Sequence, residues 1–130
     1  MRGLDTNVLV RFLTADEPSQ SEIARRLVES AEIHGERLHI STPVLAELVW
    51  VLRGARYART RSEIADALAA LLDATVFEIQ DWDLVRSAAA AFRTGTADFS
   101  DYLIGQLDRR AGCTATLTFD RRLLTTEGFA

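Results

Sequence analysis

The stretch Arg2-Gly3-Leu4-Asp5-Thr6-Asn7-Val8-Leu9-Val10 decides how the rest of the chain reads. An acid stands almost at the start, after one apolar residue and before an apolar run that continues through Phe12 and Leu13. A first strand over about residues 1–4 would end at Asp5, and a helix would begin within the next two residues. In an open α/β sheet, the carboxyl end of a strand is where ligands bind. Asp5 is therefore either the cap of that helix or an acid of a site, with Asn7 beside it.

Downstream, strand and helix signals alternate. Residues 7–13 predict a short helix, stopped by Asp16, Glu17 and Pro18. Ser19 with Glu22 spells a capping box, and Ile23, Ala24, Leu27, Val28 and Ala31 then recur at helical spacing. His34-Gly35 ends that helix, with His34 exposed. Residues 38–41 read as a short strand, and Thr42 caps a helix with Pro43 at its first position. That helix, to about Arg53, is apolar nearly all round, so burial on most sides is expected. Glu47 is its one carboxylate. Such a group needs a cation, a proton or water; a metal or catalytic role would supply that, and so would a salt bridge to an arginine.

Thr60 with Glu63 spells a second capping box, ahead of Ile64, Ala67, Leu68, Leu71 and Leu72. Residues 75–79 read as a strand. Asp81 reads as the cap of a helix whose core stripe is Leu84, Val85, Ala88, Ala89 and Phe92, with Trp82 as packing. After a loop at 94–97, Asp98 and Asp101 form either an imperfect capping box or acids of a cation site. Residues 114–120 are a β-branched run that ends at Asp120 and repeats the pattern of Asp5. Alternating strands and helices imply a parallel sheet.

The 130 residues predict one domain with a real core. The hydrophobic fraction of 48% and charged fraction of 26% are those of an ordinary soluble protein. No apolar run approaches the roughly 20 residues of a membrane span, and Asp5 interrupts any signal-peptide pattern. The single Cys113 has no partner for an internal disulfide and is expected in or near the core. These features predict a cytoplasmic protein.

The net charge of −4 argues mildly against a nucleic-acid partner. Every basic side chain is arginine, which grips phosphate with a bidentate fork. Arg53, Arg56, Arg59 and Arg61 fall within nine residues, and Arg109-Arg110 and Arg121-Arg122 form pairs. They are either solvated helix ends or a phosphate-binding surface. Leaving Asp5, Glu47, Asp98, Asp101 and Asp120 out of the count turns −4 into +1, so the remaining surface is not hostile to a polyanion.

A parallel sheet gives those acids a reason to meet. Adjacent strands present their carboxyl ends to one edge, and the following helices start there. Converging carboxylates repel unless a cation neutralises them. Hard Mg²⁺ or Mn²⁺ prefers oxygen ligands and keeps several waters, so a few carboxylates suffice. Such a centre suits phosphodiester hydrolysis.

Leu4-Asp5-Thr6-Asn7, the acid in Ala46-Glu47-Leu48, Asp98-Phe99-Ser100-Asp101-Tyr102-Leu103-Ile104 and Thr118-Phe119-Asp120, in this order and spacing, resemble a PIN domain. Within that family the chain resembles a VapC-type toxin ribonuclease of a toxin–antitoxin pair. Each motif alone is weak, but the ordered set spans essentially the whole chain. The resemblance implies an α/β/α sandwich around a parallel sheet of four to five strands, in one domain over residues 1–130. It makes Asp5, Glu47, Asp101 and Asp120 a catalytic quartet that binds Mg²⁺ or Mn²⁺, supported by Asn7 and Thr118. Asp98 takes a supporting or capping place. An RNA substrate, a cognate VapB-type antitoxin and a homodimer are also implied. One departure is the end at Ala130: many relatives carry a further short strand there, of which Gly128-Phe129-Ala130 reads as only the beginning. Two other readings stay open: a PIN-like fold that binds RNA or protein without cutting, and a DNA-directed or phosphatase-type hydrolase. Asn7, in place of a second aspartate, weakens the aspartyl-phosphate form of the latter.

Overall fold

A computed structural model describes all residues, Met1–Ala130. The chain runs β1 (Arg2–Gly3), α1 (Thr6–Thr14), α2 (Pro18–Ile33), β2 (Leu38–Ile40), α3 (Thr42–Arg53), α4 (Arg61–Asp73), β3 (Phe77–Ile79), α5 (Trp82–Thr94) and α6 (Phe99–Arg110). The three strands form one parallel sheet in the order β1-β2-β3. Arg2 pairs with Leu38 and Gly3 with His39, while Leu38, His39 and Ile40 pair with Phe77, Glu78 and Ile79. Parallel neighbours cannot be joined by a tight turn, so each crossover carries helices. The mixed α/β class with a parallel sheet is as expected; the sheet has three strands rather than four to five. No helix is long and apolar enough to cross a membrane.

The chain divides into two compact units, Met1–Trp82 and Asp83–Ala130. In the first, the sheet supplies Leu38, Ile40, Phe77 and Ile79 to the core, and α1, α3 and α4 add Leu9, Leu45, Leu48, Ile64, Leu68 and Leu71. Phe12 meets Phe77 edge to face at 5.9 Å. In the second, α5 and α6 bury Val85, Phe92, Phe99 and Leu103, with Phe92 and Phe99 edge to face at 6.3 Å.

Several local expectations need correction. Helix α2 starts at Pro18, not Ser19, because Glu17 is the N-cap and its side chain accepts the Gln20 N–H at 2.8 Å. Pro18 then sits in the first turn, where its fixed φ and missing N–H cost nothing. Ser41, rather than Thr42, is the N-cap residue of α3 and gives no side-chain cap bond. The side chain of Gln80, just past β3, instead accepts the Thr42 N–H at 3.0 Å. Helix α3 is not buried on most sides: Trp50 is 77% exposed and Glu47 is exposed. Cys113 is exposed, after the left-handed turn at Gly112 (φ +94°). Trp82 is 43% exposed and ties its indole N–H to the Leu72 carbonyl at 2.9 Å. Asp81 stands immediately before α5 with φ +50°. His34 ends α2 and is exposed, and the Thr60–Glu63 capping box is complete.

Residues 114–120 do not form a regular strand. They make one parallel bridge, Thr116 with Phe129. Thr116 N–H donates to Gly128 O at 2.8 Å, Ala130 N–H to Thr116 O at 3.0 Å and Thr118 N–H to Ala130 O at 2.9 Å. Gly128-Phe129-Ala130 is thus the partner of this segment.

Candidate active site

The first unit carries Asp5, Asn7 and Glu47. Leu4 N–H still pairs with His39 O at 2.9 Å, so Asp5 is the first residue beyond the sheet. It is the N-cap of α1, with extended backbone, and its Oδ1 accepts the Thr6 N–H at 2.8 Å. The side chain stays exposed, so the cap does not remove it from solvent. Thr6 behind it is 5% exposed, and its hydroxyl donates to Glu47 Oε2 at 2.8 Å. One buried hydroxyl therefore orients the α3 carboxylate from the start of α1. Sequence reasoning missed Thr6; its signal was its place between two singled-out residues, Asp5 and Asn7. It also missed Gln80, which holds the N-terminus of the helix that carries Glu47. Asn7 is exposed, above a shallow cleft between α1 and α2 lined by Val8, Arg11, Gln20, Ile23, Ala24 and Leu27.

The second unit carries Asp98, Asp101, Thr118 and Asp120. Asp98 is the N-cap residue of α6, and Asp101 Oδ2 accepts its backbone N–H at 3.1 Å, the return half of a capping box. The loop before it is pinned by Tyr102, whose hydroxyl accepts the Ala97 N–H at 3.3 Å. Gly95 makes room for that ring: a Cβ there would lie 1.9 Å from the Tyr102 oxygen. Thr118 Oγ1 accepts the Asp120 N–H at 3.0 Å and fixes the turn that presents the acid.

Asp120 is gripped by Arg122. The guanidinium Nε lies 3.0 and 3.1 Å from the two carboxylate oxygens, and Nη2 lies 2.5 Å from Oδ2. The same Nη2 is 4.0 Å from Asp101, and Nη1 reaches the Thr96 carbonyl at 3.4 Å. These hydrogen bonds hold the Asp120 carboxyl below its ordinary range, with the Arg122 backbone N–H adding to the effect. The Asp120 hydrogen bond raises the Arg122 guanidinium; desolvation opposes it, and the charges of Asp120, Asp98 and Asp101 add smaller increases. Arg122 was legible only as half of an arginine pair; nothing in its spacing predicted that it would turn back onto the acid.

Within each unit, no group of three His, Cys, Asp or Glu side chains is assembled around a metal position. The donor chemistry nevertheless fits a hard dication. Asp120 at 2.5 Å and Asp101 at 4.0 Å face one positive group, the guanidinium of Arg122, which stands in for a cation, and their donors are all oxygen. Of the four arginines expected to meet RNA, Arg56 is paired with Asp16 at 2.7 Å and Arg59 with Glu63 at 3.8 Å. Arg53 and Arg61 also have partners.

No curated protein matches the sequence. The family model described as PIN domain matches residues 4–128, which takes in every acid named above. Proteins with this domain are usually nucleases that bind RNA and generally use divalent metal ions. The chain belongs to the PIN domain family.

Proposed function

We propose that the chain is a metal-dependent endoribonuclease of the VapC toxin type. Asp5, Glu47, Asp101 and Asp120 hold Mg²⁺ or Mn²⁺, and Asn7, Asp98 and Thr118 support them. The observation that carries the reading is a single guanidinium nitrogen held by Asp120 at 2.5 Å with Asp101 at 4.0 Å. Two motif acids, Asp101 on α6 and Asp120 in the turn after Thr118, lie beside that one positive nitrogen. The family match, which includes Asp5 and Glu47, supports treating the four as one functional set over a single domain.

When bound, the cation lowers the pKa of a water and neutralises charge on the scissile phosphate. The chain's own groups do the rest. Thr6 orients Glu47, the capping contact of Asp101 fixes the start of α6, and Thr118 fixes Asp120. Arg53, Arg56, Arg59 and Arg61 supply phosphate contacts along the RNA, which makes binding salt-dependent.

An unrestrained ribonuclease harms its host, so the reading includes a cognate VapB-type antitoxin, a homodimer and a cytoplasmic setting. Exposed Ile23 beside Val8 and Leu27 in the α1–α2 cleft suits an amphipathic partner helix. The test is cleavage of labelled RNA with Mn²⁺ or with chelator. Wild type cuts only with metal, and Asp5→Asn and Asp101→Asn lose at least about a hundredfold in rate while keeping their circular dichroism. Wild-type rates in either variant refute the assignment. If metal-loaded wild type binds RNA without cutting it, the binding-module reading stands instead.

A further inference from the structure

Arg122 has no place in the functional set above, yet it holds Asp120 and lies 4.0 Å from Asp101. It follows Asp120 by two residues, and its own backbone N–H donates to Asp120 Oδ1 at 2.9 Å. Main chain and side chain therefore close on the same carboxylate. The Nε and Nη2 contacts engage both oxygens of Asp120, the fork geometry that makes arginine–carboxylate pairs directional. The fork leans toward Asp101 and is anchored on the Thr96 carbonyl in the loop before α6. An oxygen held in that fork is not available to a metal ion. A guanidinium and a dication cannot share the position, because their charges repel and both need the same lone pairs.

Resting on the nuclease reading, we propose that Arg122 is a built-in latch that occupies the cation position of Asp120 and Asp101 and must be displaced before a divalent ion can bind. The tether is short, so the latch does not diffuse away. It re-forms whenever the ion leaves, and it competes at the same strength at every protein concentration. The side chain is 46% exposed, so a path out into solvent exists. Asp101 Oδ2, the oxygen that faces the fork, also accepts the Asp98 N–H, so it is held in place at the start of α6 whichever cation stands before it. The latch sets the metal concentration at which the enzyme switches on.

The experiment is calorimetric titration of Mn²⁺ into wild type, Arg122→Gln and Arg122→Lys. Glutamine keeps a hydrogen-bonding head and loses the charge. It should bind Mn²⁺ about three- to tenfold more tightly, the range expected for removing one partly screened charge. Lysine keeps the charge without the fork and should fall between, which also shows that the turn tolerates substitution. A second readout is the Arg122 Nε–H resonance, which should shift as diamagnetic Mg²⁺ is added. Equal affinity in wild type and Arg122→Gln, with an unmoved resonance, overturns the latch and leaves the nuclease reading intact. Weaker binding in Arg122→Gln also overturns it and makes Arg122 a support of the site. Failure of wild type to take up Mn²⁺ removes both proposals.

Discussion

Replacing Thr6 by valine removes one hydroxyl and keeps the volume. Thr6 is 5% exposed, and its hydroxyl donates to Glu47 Oε2 at 2.8 Å. A hydrogen bond to a charged acceptor contributes roughly 1.5–3 kcal/mol. Glu47 is exposed, so its carboxylate regains water in the variant and no buried group is left unpaired. That regained solvation brings the expected cost below that range, to about 1 kcal/mol. For a chain of this size, that lowers Tm by roughly 3–5 °C. The functional effect should be larger than the stability effect, because the bond fixes where Glu47 points. Outer supports of metal ligands cost about 10- to 100-fold in metal affinity or activity when removed. Thermal melts, Mn²⁺ titration and RNA cleavage on Thr6→Val, with Thr6→Ser as the hydroxyl-retaining control, measure both effects. If valine and serine match wild type in melting and in Mn²⁺ affinity, the contact does not position Glu47.

Gly95→Ala should cost about 1–3 kcal/mol by overpacking, because its Cβ would meet the Tyr102 hydroxyl at 1.9 Å and the Ala91 carbonyl at 2.8 Å; adding Tyr102→Phe should recover part of the loss of Tm. The Asp16 carboxyl is pushed up by desolvation, but hydrogen bonds from Thr14 and Tyr57 and the charge of Arg56 hold it at about 2, below its ordinary 3.8. Its stabilising effect is thus complete above the ordinary value and fades as pH falls toward 2, so urea melts of wild type and Asp16→Asn should converge over that window and stay apart at neutral pH. Asp98→Asn should retain most cleavage activity, since asparagine caps about as well as aspartate; a loss as deep as that of Asp101→Asn would make Asp98 a direct ligand.

The elements that carried the sequence reading are those whose signals are local. The Thr60–Glu63 box and the stripes of α4 and α5 depend only on spacing along one helix, and they stand where expected. Asp5 was legible because a strand end followed by a helix needs little context. Signals that depend on partners were not. Residues 114–120 have strand composition, but a strand exists only through its ladder, and the partner found is the short Gly128–Ala130 segment. The burial of α3 was overstated because apolar residues such as Trp50 can lie at the surface. Glu47 then needed no rescuing cation to be tolerated, and its orientation came from Thr6, which no periodicity marks. Glu17 carries no mark of a cap in the sequence because the Pro18 after it reads as a helix breaker, when in the first turn it starts one. The grip of Arg122 on Asp120 turns on a side chain folding back across two residues, a matter of turn geometry rather than pattern.

The claim that Glu47 and Asp120 serve one reaction is tested most directly by a double-mutant cycle in metal-dependent RNA cleavage, using Glu47→Gln, Asp120→Asn and the pair. Residues that act as a unit are strongly non-additive. The account predicts that each single variant loses nearly all activity and that the double variant loses no more. Losses that multiply, or a single variant that cuts at the wild-type rate, would contradict it.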